Sequence, residues 1–221
     1  MLRELIHLAR HAPGALALSR RLDKVDLYET IMQRGEEAGF RAWRDWLAKD
    51  LAGDVLEIGC GTGFMFEHYA RTARVIAIDV EEDFLARARP RAEGKRIEVR
   101  AADAESLPFP DASFDFVIAS LVFCSIPHAA RALAEAKRVL KPGGELRLVE
   151  HVVSSRPLSR ALMHATDPIW LHLNGQGCHM DRDTVATVRE VFDHVEIVER
   201  FKIFSDGLPA FPMVALRAHD H

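Results

Sequence analysis

The sequence predicts an α/β fold built on a doubly wound, mostly parallel sheet, and three observations carry that expectation. A short apolar run, Val55-Leu56-Glu57-Ile58, stops at a loop with glycine at every second position. From Val55 onward, short apolar segments alternate with helical patterns, the signature of βαβ units whose ligands lie beyond the carboxyl ends of the strands. The chain has 221 residues, 48% of them hydrophobic, which suits one compact domain with its own core.

Taken in order, residues 1–12 read as a short amphipathic helix with Leu2, Leu5, Ile6 and Ala9 on one face, ended by Pro13-Gly14. The first 21 residues hold four Arg against one Glu. Helical spacing predicts a second helix from about Leu22 to Gln33. A third, from Glu36 to Lys49, carries Phe40, Trp43, Trp46 and Leu47 on one stripe. These segments, residues 1–50, form a helical cap over the sheet edge and the mouth of a ligand site. A sharper alternative lays the first helix on a membrane surface.

The first strand enters the loop Gly59-Cys60-Gly61-Thr62-Gly63, and a helix starting near Thr62 is expected to follow. Glycine tolerates positive φ and has no Cβ, so such a loop can turn tightly and approach a ligand with its backbone. A fresh helix end would add unpaired N–H groups. The second strand is Val75 to Asp79, followed by a helix from Glu81 to Arg89; the third strand is Ile97 to Ala101 and the fourth Phe114 to Ser120. A helix from Ala129 to Leu140 is closed by Lys141-Pro142-Gly143-Gly144, and Glu145 to Val149 is the fifth strand. Residues 154–180 read as an insertion: a helix with Leu158, Ala161, Leu162 and His164, a turn at Asp167-Pro168, then a Gly-rich loop containing Cys178 and His179. Asp181 or Asp183 caps a further helix. Val195–Phe201 and Phe211–Leu216 complete the strands.

Composition excludes several classes. A formal charge of −4 leaves no general basic footprint for nucleic acid. Cys60, Cys124 and Cys178 form no CxxC pair, which argues for reduced thiols in a cytoplasmic setting over a disulfide frame or zinc site. No apolar run reaches membrane-spanning length, and the first residues make a poor signal peptide.

The glycine spacing departs from the dinucleotide pattern. A dinucleotide loop reads G-x-G-x-x-G; here the third glycine comes one residue early, and Glu57 sits inside the strand end. Glu57-x-Gly59-x-Gly61-x-Gly63, with Asp79 ending the next strand, resembles the class I S-adenosylmethionine-dependent methyltransferases. So do Ala102 to Phe109, Asp111-x-Ser113-Phe114-Asp115 and Arg138 to Gly144, typical of the branch with ubiquinone and menaquinone biosynthesis enzymes. The motifs cover roughly residues 50–151. The resemblance implies a Rossmann-like sheet of seven strands, the seventh antiparallel between strands five and six, over residues 51–221. It implies S-adenosylmethionine as cofactor and S-adenosylhomocysteine as product, with no metal. It assigns cofactor contacts to Glu57, Gly59, Cys60, Gly61, Gly63, Asp79, Val80, Asp103, Ala104 and Ser120, with Asp79 on the ribose and Asp103 on the adenine amino group.

The methyl acceptor is expected to be small and apolar. His151, His179 and Asp167 are the candidates for deprotonating or orienting it, each with a competing structural role. Phe123, Trp170 and Phe211 line or support an apolar pocket, and Cys124 reads as a small hydrophobe near the methyl. Ser120 to Ser125, Glu150-His151-Val152 and the stretch from Asp167-Pro168 to Cys178-His179 resemble a narrower group: small-thiol S-methyltransferases and bacterial relatives labelled as phospholipid or quinone methyltransferases. The animal members carry an N-terminal membrane anchor, where this chain has the short helix. A thiol or sulfide acceptor is favoured; a quinone-like ring, a phospholipid amine or a non-catalytic binding module are the alternatives.

Overall fold

The computed structural model describes residues 21–174, 177–203 and 212–220. The first predicted helix and Phe211 lie outside the described residues. The described chain opens with α1 (Lys24–Gly35), capped by the Asp23 carboxylate on the Asp26 N–H. A widened turn, Glu36–Phe40, holds Gly39 at φ 108°, and α2 (Arg41–Ala48) follows. The alternating region comprises β1 (Gly53–Ile58), β2 (Ala73–Asp79), α3 (Glu82–Ala92), β3 (Ile97–Ala101), β4 (Phe114–Ser120), α4 (Ala129–Val139) and β5 (Leu140–His151). Then come α5 (Pro157–Asn174), α6 (Thr184–Val191), β6 (His194–Lys202) and β7 (Pro212–His219).

The sheet has seven strands in the order β3-β2-β1-β4-β5-β7-β6. β1 to β5 pair in parallel, while β7 runs antiparallel between β5 and β6. Side chains alternate across the central strands, so each strand feeds two cores. Leu56, Val117, Ala119, Leu146 and Leu148 pack with Leu133, Ala136, Val188 and Phe192 on the face of α4 and α6. Val55, Val75, Ala77, Ile118 and Val149 pack with Leu47, Leu85 and Ala88 on the face of α2 and α3. Burial on both faces is why these strands read as near-continuous apolar runs.

Three local expectations are corrected. Residues 61–68 form successive turns, with Gly63 N–H on Cys60 O and Phe66 N–H on Gly63 O, in place of a helix beginning at Thr62. The reason is backbone: Gly61 and Gly63 stand at φ 54° and 87°, outside the right-handed helical well. β5 extends from Leu140 through Pro142-Gly143-Gly144 to His151, so His151 ends the strand rather than following it. The Asp167-Pro168 turn is absent, because α5 continues through Pro168. No described helix is long and apolar enough to cross a membrane.

Candidate active site

A cavity of about 460 Å³ opens above the carboxyl ends of β1, β2, β4 and β5, within the range of small-molecule sites. Its floor at the β1–β2 end is the glycine loop. The Asp79 carboxylate accepts N–H bonds from Gly61 at 2.8 Å and from Glu81 at 3.0 Å, clamping that loop to the end of β2. Burial raises the Asp79 carboxyl above its ordinary range, against the backbone N–H bonds that lower it. Gly59 has no room for a side chain: a Cβ there would lie 2.2 Å from Val122 Cγ2. Gly59, Gly61, Asp79, Val80, Asp103, Ala104 and Ser120 all line the cavity.

Glu57, Cys60 and Gly63 do not reach it. Glu57 points to the α2 side of the sheet and is only 2% exposed. It accepts the Tyr69 hydroxyl at 2.6 Å. Burial pushes its carboxyl from 4.5 up to about 7, although the Tyr69 hydrogen bond and the Arg44 charge oppose that rise. Arg44 is itself buried between Glu36, at 2.5 Å, and the Ser120 hydroxyl, at 3.3 Å. Cys60 is buried in the α2-side core, and Gly63 packs against the Phe66 ring.

The far end of the cavity is made by Cys124, His151, Trp170, Asn174 and Cys178. His151 Nδ1 lies 3.6 Å from Cys178 Sγ. Cys124 Sγ lies within 4.8 Å of both Cys178 Sγ and a ring nitrogen of His151. The side chain of Cys178 and burial together drive the Cys124 thiol well upward. Burial would depress His151, but neighbouring Cys124 and Glu150 outweigh it and raise it. Glu150 anchors this wall by accepting the Val122 and Phe123 N–H groups at 2.8 and 2.9 Å.

Asp167 and His179 stand behind that wall rather than in it. His179 Nδ1 meets Asp167 Oδ2 at 2.8 Å, and Asp167 Oδ1 accepts the Met180 N–H at 2.7 Å. The His179 N–H donates to Cys124 O. The pair thus ties the loop after α5 to the end of β4.

Residues that sequence reasoning did not place here come from α1 and the edge beyond β5. Lys24, Tyr28, Ile31, Met32, Ile203 and Met213 line the cavity. Helical spacing could have found the apolar members of α1, but nothing local says which surface they cover. Cys178 stood in the Gly-rich loop that carries the narrower resemblance, but no local pattern assigned its side chain a place in the site.

The arrangement, a glycine loop clamped by a strand-end carboxylate with a second acid one strand further, suits a nucleoside donor. Comparison with known proteins agrees. The methyltransferase domain family matches residues 56–148. A phosphatidylethanolamine N-methyltransferase of Cereibacter sphaeroides is 34% identical over 164 residues, covering 72% of this chain and 78% of that protein. The chain belongs to the class I S-adenosylmethionine-dependent methyltransferases. The thiol S-methyltransferase TMT1B of Rattus norvegicus is 35% identical over 164 residues, and the match spans 67% of this methyltransferase but 66% of the rat protein, just under two thirds. A crystal structure of an S-adenosylmethionine-dependent methyltransferase from Thermotoga maritima superposes with a TM-score of 0.67 at 23% identity, covering 89% of this chain and 96% of that one, and shows the shared fold.

Proposed function

We propose that this methyltransferase moves the methyl group of S-adenosylmethionine to the sulfur of a small, apolar thiol. One observation carries the reading: a single cavity has carboxylates and glycine backbone at one end and sulfur and imidazole at the other. The likeness to the rat thiol S-methyltransferase supports it.

The donor, when bound, supplies a methyl group that is already electrophilic. What the chain must do is position and desolvate. In this reading Asp79 holds the ribose hydroxyls and Asp103 the adenine amino group. Gly59 and Gly61 let backbone approach, while Val80, Ala104 and Ser120 shape the walls. Glu57, Cys60 and Gly63 act as positioning residues that keep the loop in its turned form. Helix α1 forms the cap, with Tyr28 and Met32 keeping water from the reacting centre. A neutral thiol must lose its proton before transfer. Of the three acid–base candidates, His151 is the one that reaches the cavity; His179 and Asp167 position the loop that carries Cys178.

The test is a panel of alkyl and aryl thiols, quinols and lipid amines, scored for S-adenosylhomocysteine release. Release with thiols, absent with the others, is expected. Release confined to quinols or amines transfers the assignment to a carbon, oxygen or nitrogen acceptor, and tight donor binding with no release across the panel makes the protein a binding module.

A further inference from the structure

Cys124, His151 and Cys178 are 27 residues apart in each step of the sequence, yet Cys124 Sγ, Cys178 Sγ and a ring nitrogen of His151 all lie within 4.8 Å of one another. His151 ends β5, Cys124 lies in the turn after the neighbouring strand β4, and Cys178 comes from the loop after α5. His151 Nδ1 stands 3.6 Å from Cys178 Sγ, and Nε2 stands 3.9 Å away. Zinc bonds of about 2.3 Å to sulfur and about 2.0–2.1 Å to nitrogen, at a tetrahedral angle, place an S and an N ligand about 3.6 Å apart. The His151–Cys178 edge of the triangle therefore already has the length of a zinc site, and the third atom, Cys124 Sγ, lies within 4.8 Å of both.

The three segments are also cross-tied. Asn174 accepts the Cys178 N–H and donates to Cys178 O, the His179 N–H donates to Cys124 O, and the His151 ring bonds the His179 backbone. Such outer contacts orient ligands before metal arrives. All three residues line the cavity, so a fourth coordination position faces it. Three protein ligands and one position turned to substrate is the pattern of a catalytic zinc site, whereas structural sites close all four. The neighbouring group Asp167, His179 and Asp181 is already satisfied internally: His179 pairs with Asp167, and Asp181 pairs with His164 at 2.8 Å.

We propose that Cys124, His151 and Cys178 bind a zinc ion whose fourth position takes the acceptor sulfur. This rests on the reading of a thiol acceptor. On binding the ion the two cysteine thiols release their protons to solvent, so that two thiolates and a neutral imidazole cancel its charge. With His151 ligating the ion it no longer serves as the base; the metal takes over that task, and an incoming thiol releases its proton to solvent and joins the metal as thiolate, leaving the centre with one net negative charge beside the donor's sulfonium. The thiolate's electron pair forms the new S–C bond. The bond from that carbon to the sulfonium breaks, and its pair stays on the sulfur of S-adenosylhomocysteine. The metal–sulfur bond to the acceptor breaks as well, because the thioether product is a weak ligand.

Cobalt titration of the reduced, chelator-treated full chain tests this directly, because Co²⁺ reports thiolate ligation by charge-transfer absorption and tetrahedral geometry by its visible bands. One equivalent taken up with both signatures is expected. Cys178→Ser should weaken uptake by more than about 100-fold, beyond what losing an outer-shell partner costs. Cys178 is chosen because it is the least buried of the three. Adding a thiol should shift the visible bands, and zinc measured in untreated protein should approach one per chain. No uptake, or uptake without the thiolate band, overturns the site. If thiols are methylated by metal-free protein at full rate, the metal proposal fails while the thiol reading stands. If cobalt binds with the thiolate band but thiols neither shift it nor release S-adenosylhomocysteine, the acceptor role falls and the thiol reading with it.

Discussion

Replacing Glu57 with Gln keeps the shape of a buried side chain and removes its ability to ionise. Gln can still accept the Tyr69 hydroxyl, so the change isolates a protonation equilibrium. The folded carboxyl titrates at about 7 and the ordinary value is 4.5, because burial on the α2 side of β1 disfavours the charged form. Between those values the folded chain binds more protons than the unfolded one. The contribution to stability is therefore fully present below about pH 4.5 and is lost as the pH rises through 7. The shift is 7 − 4.5, or about 2.5, and at about 1.4 kcal/mol per unit this comes to about 3 kcal/mol. Urea unfolding of wild type and Glu57→Gln, without donor, measures it. The stability of the variant relative to wild type should climb by about 3 kcal/mol between about pH 4.5 and pH 8. Two parallel pH curves would refute the reasoning, since the buried carboxyl would then have no raised affinity for a proton.

Asp79→Asn should weaken S-adenosylmethionine binding by about 1–3 kcal/mol, because Asp79 both faces the cavity and clamps the Gly61 N–H; unchanged affinity by calorimetry removes it from the donor site. His151→Ala should lower turnover far more than donor affinity, and a variant with full turnover across the pH range would take His151 out of the reaction. Gly59→Ala places a Cβ 2.2 Å from Val122 at φ 68°, so it should cost about 1–2 kcal/mol of folding stability from the backbone alone, read by thermal or urea unfolding. Asp167→Ala leaves the buried Met180 N–H without its acceptor. It should destabilise the fold by about 1–3 kcal/mol and raise KM for the thiol more than for the donor; an effect on donor KM alone would contradict its placement behind the acceptor wall.

How far the sequence revealed this arrangement depended on the range of the interactions. Phe114–Ser120 is visible in full because a strand buried on both faces reads as a near-continuous apolar run, and Ile97–Ala101 because Ile97 and Val99 alternate with exposed Glu98 and Arg100 on an edge strand. The antiparallel last strand came from the family resemblance, not from residue pattern. The helix expected after the loop is replaced by turns because of Gly63, whose positive φ a sequence permits but does not require. Pro168 reads as a helix stop, yet α5 runs through it with Asp167 buried against the Met180 N–H. The least legible feature is the end of the cavity proposed for the acceptor. Cys124 and His151 meet because β4 and β5 are neighbours, while Cys178 returns through a loop whose path no local pattern encodes. Its spacing from the others resembles no metal motif, and the group emerges only in three dimensions.

The central claim is that the methyl group lands on sulfur, and the direct measurement is carbon-13 NMR of the product formed from donor labelled in its methyl carbon. With a thiol acceptor, the label should appear at the shift of a methyl thioether, in an amount equal to the S-adenosylhomocysteine released. Label recovered on carbon, oxygen or nitrogen of another acceptor, with no methyl thioether formed from any thiol, would contradict the account.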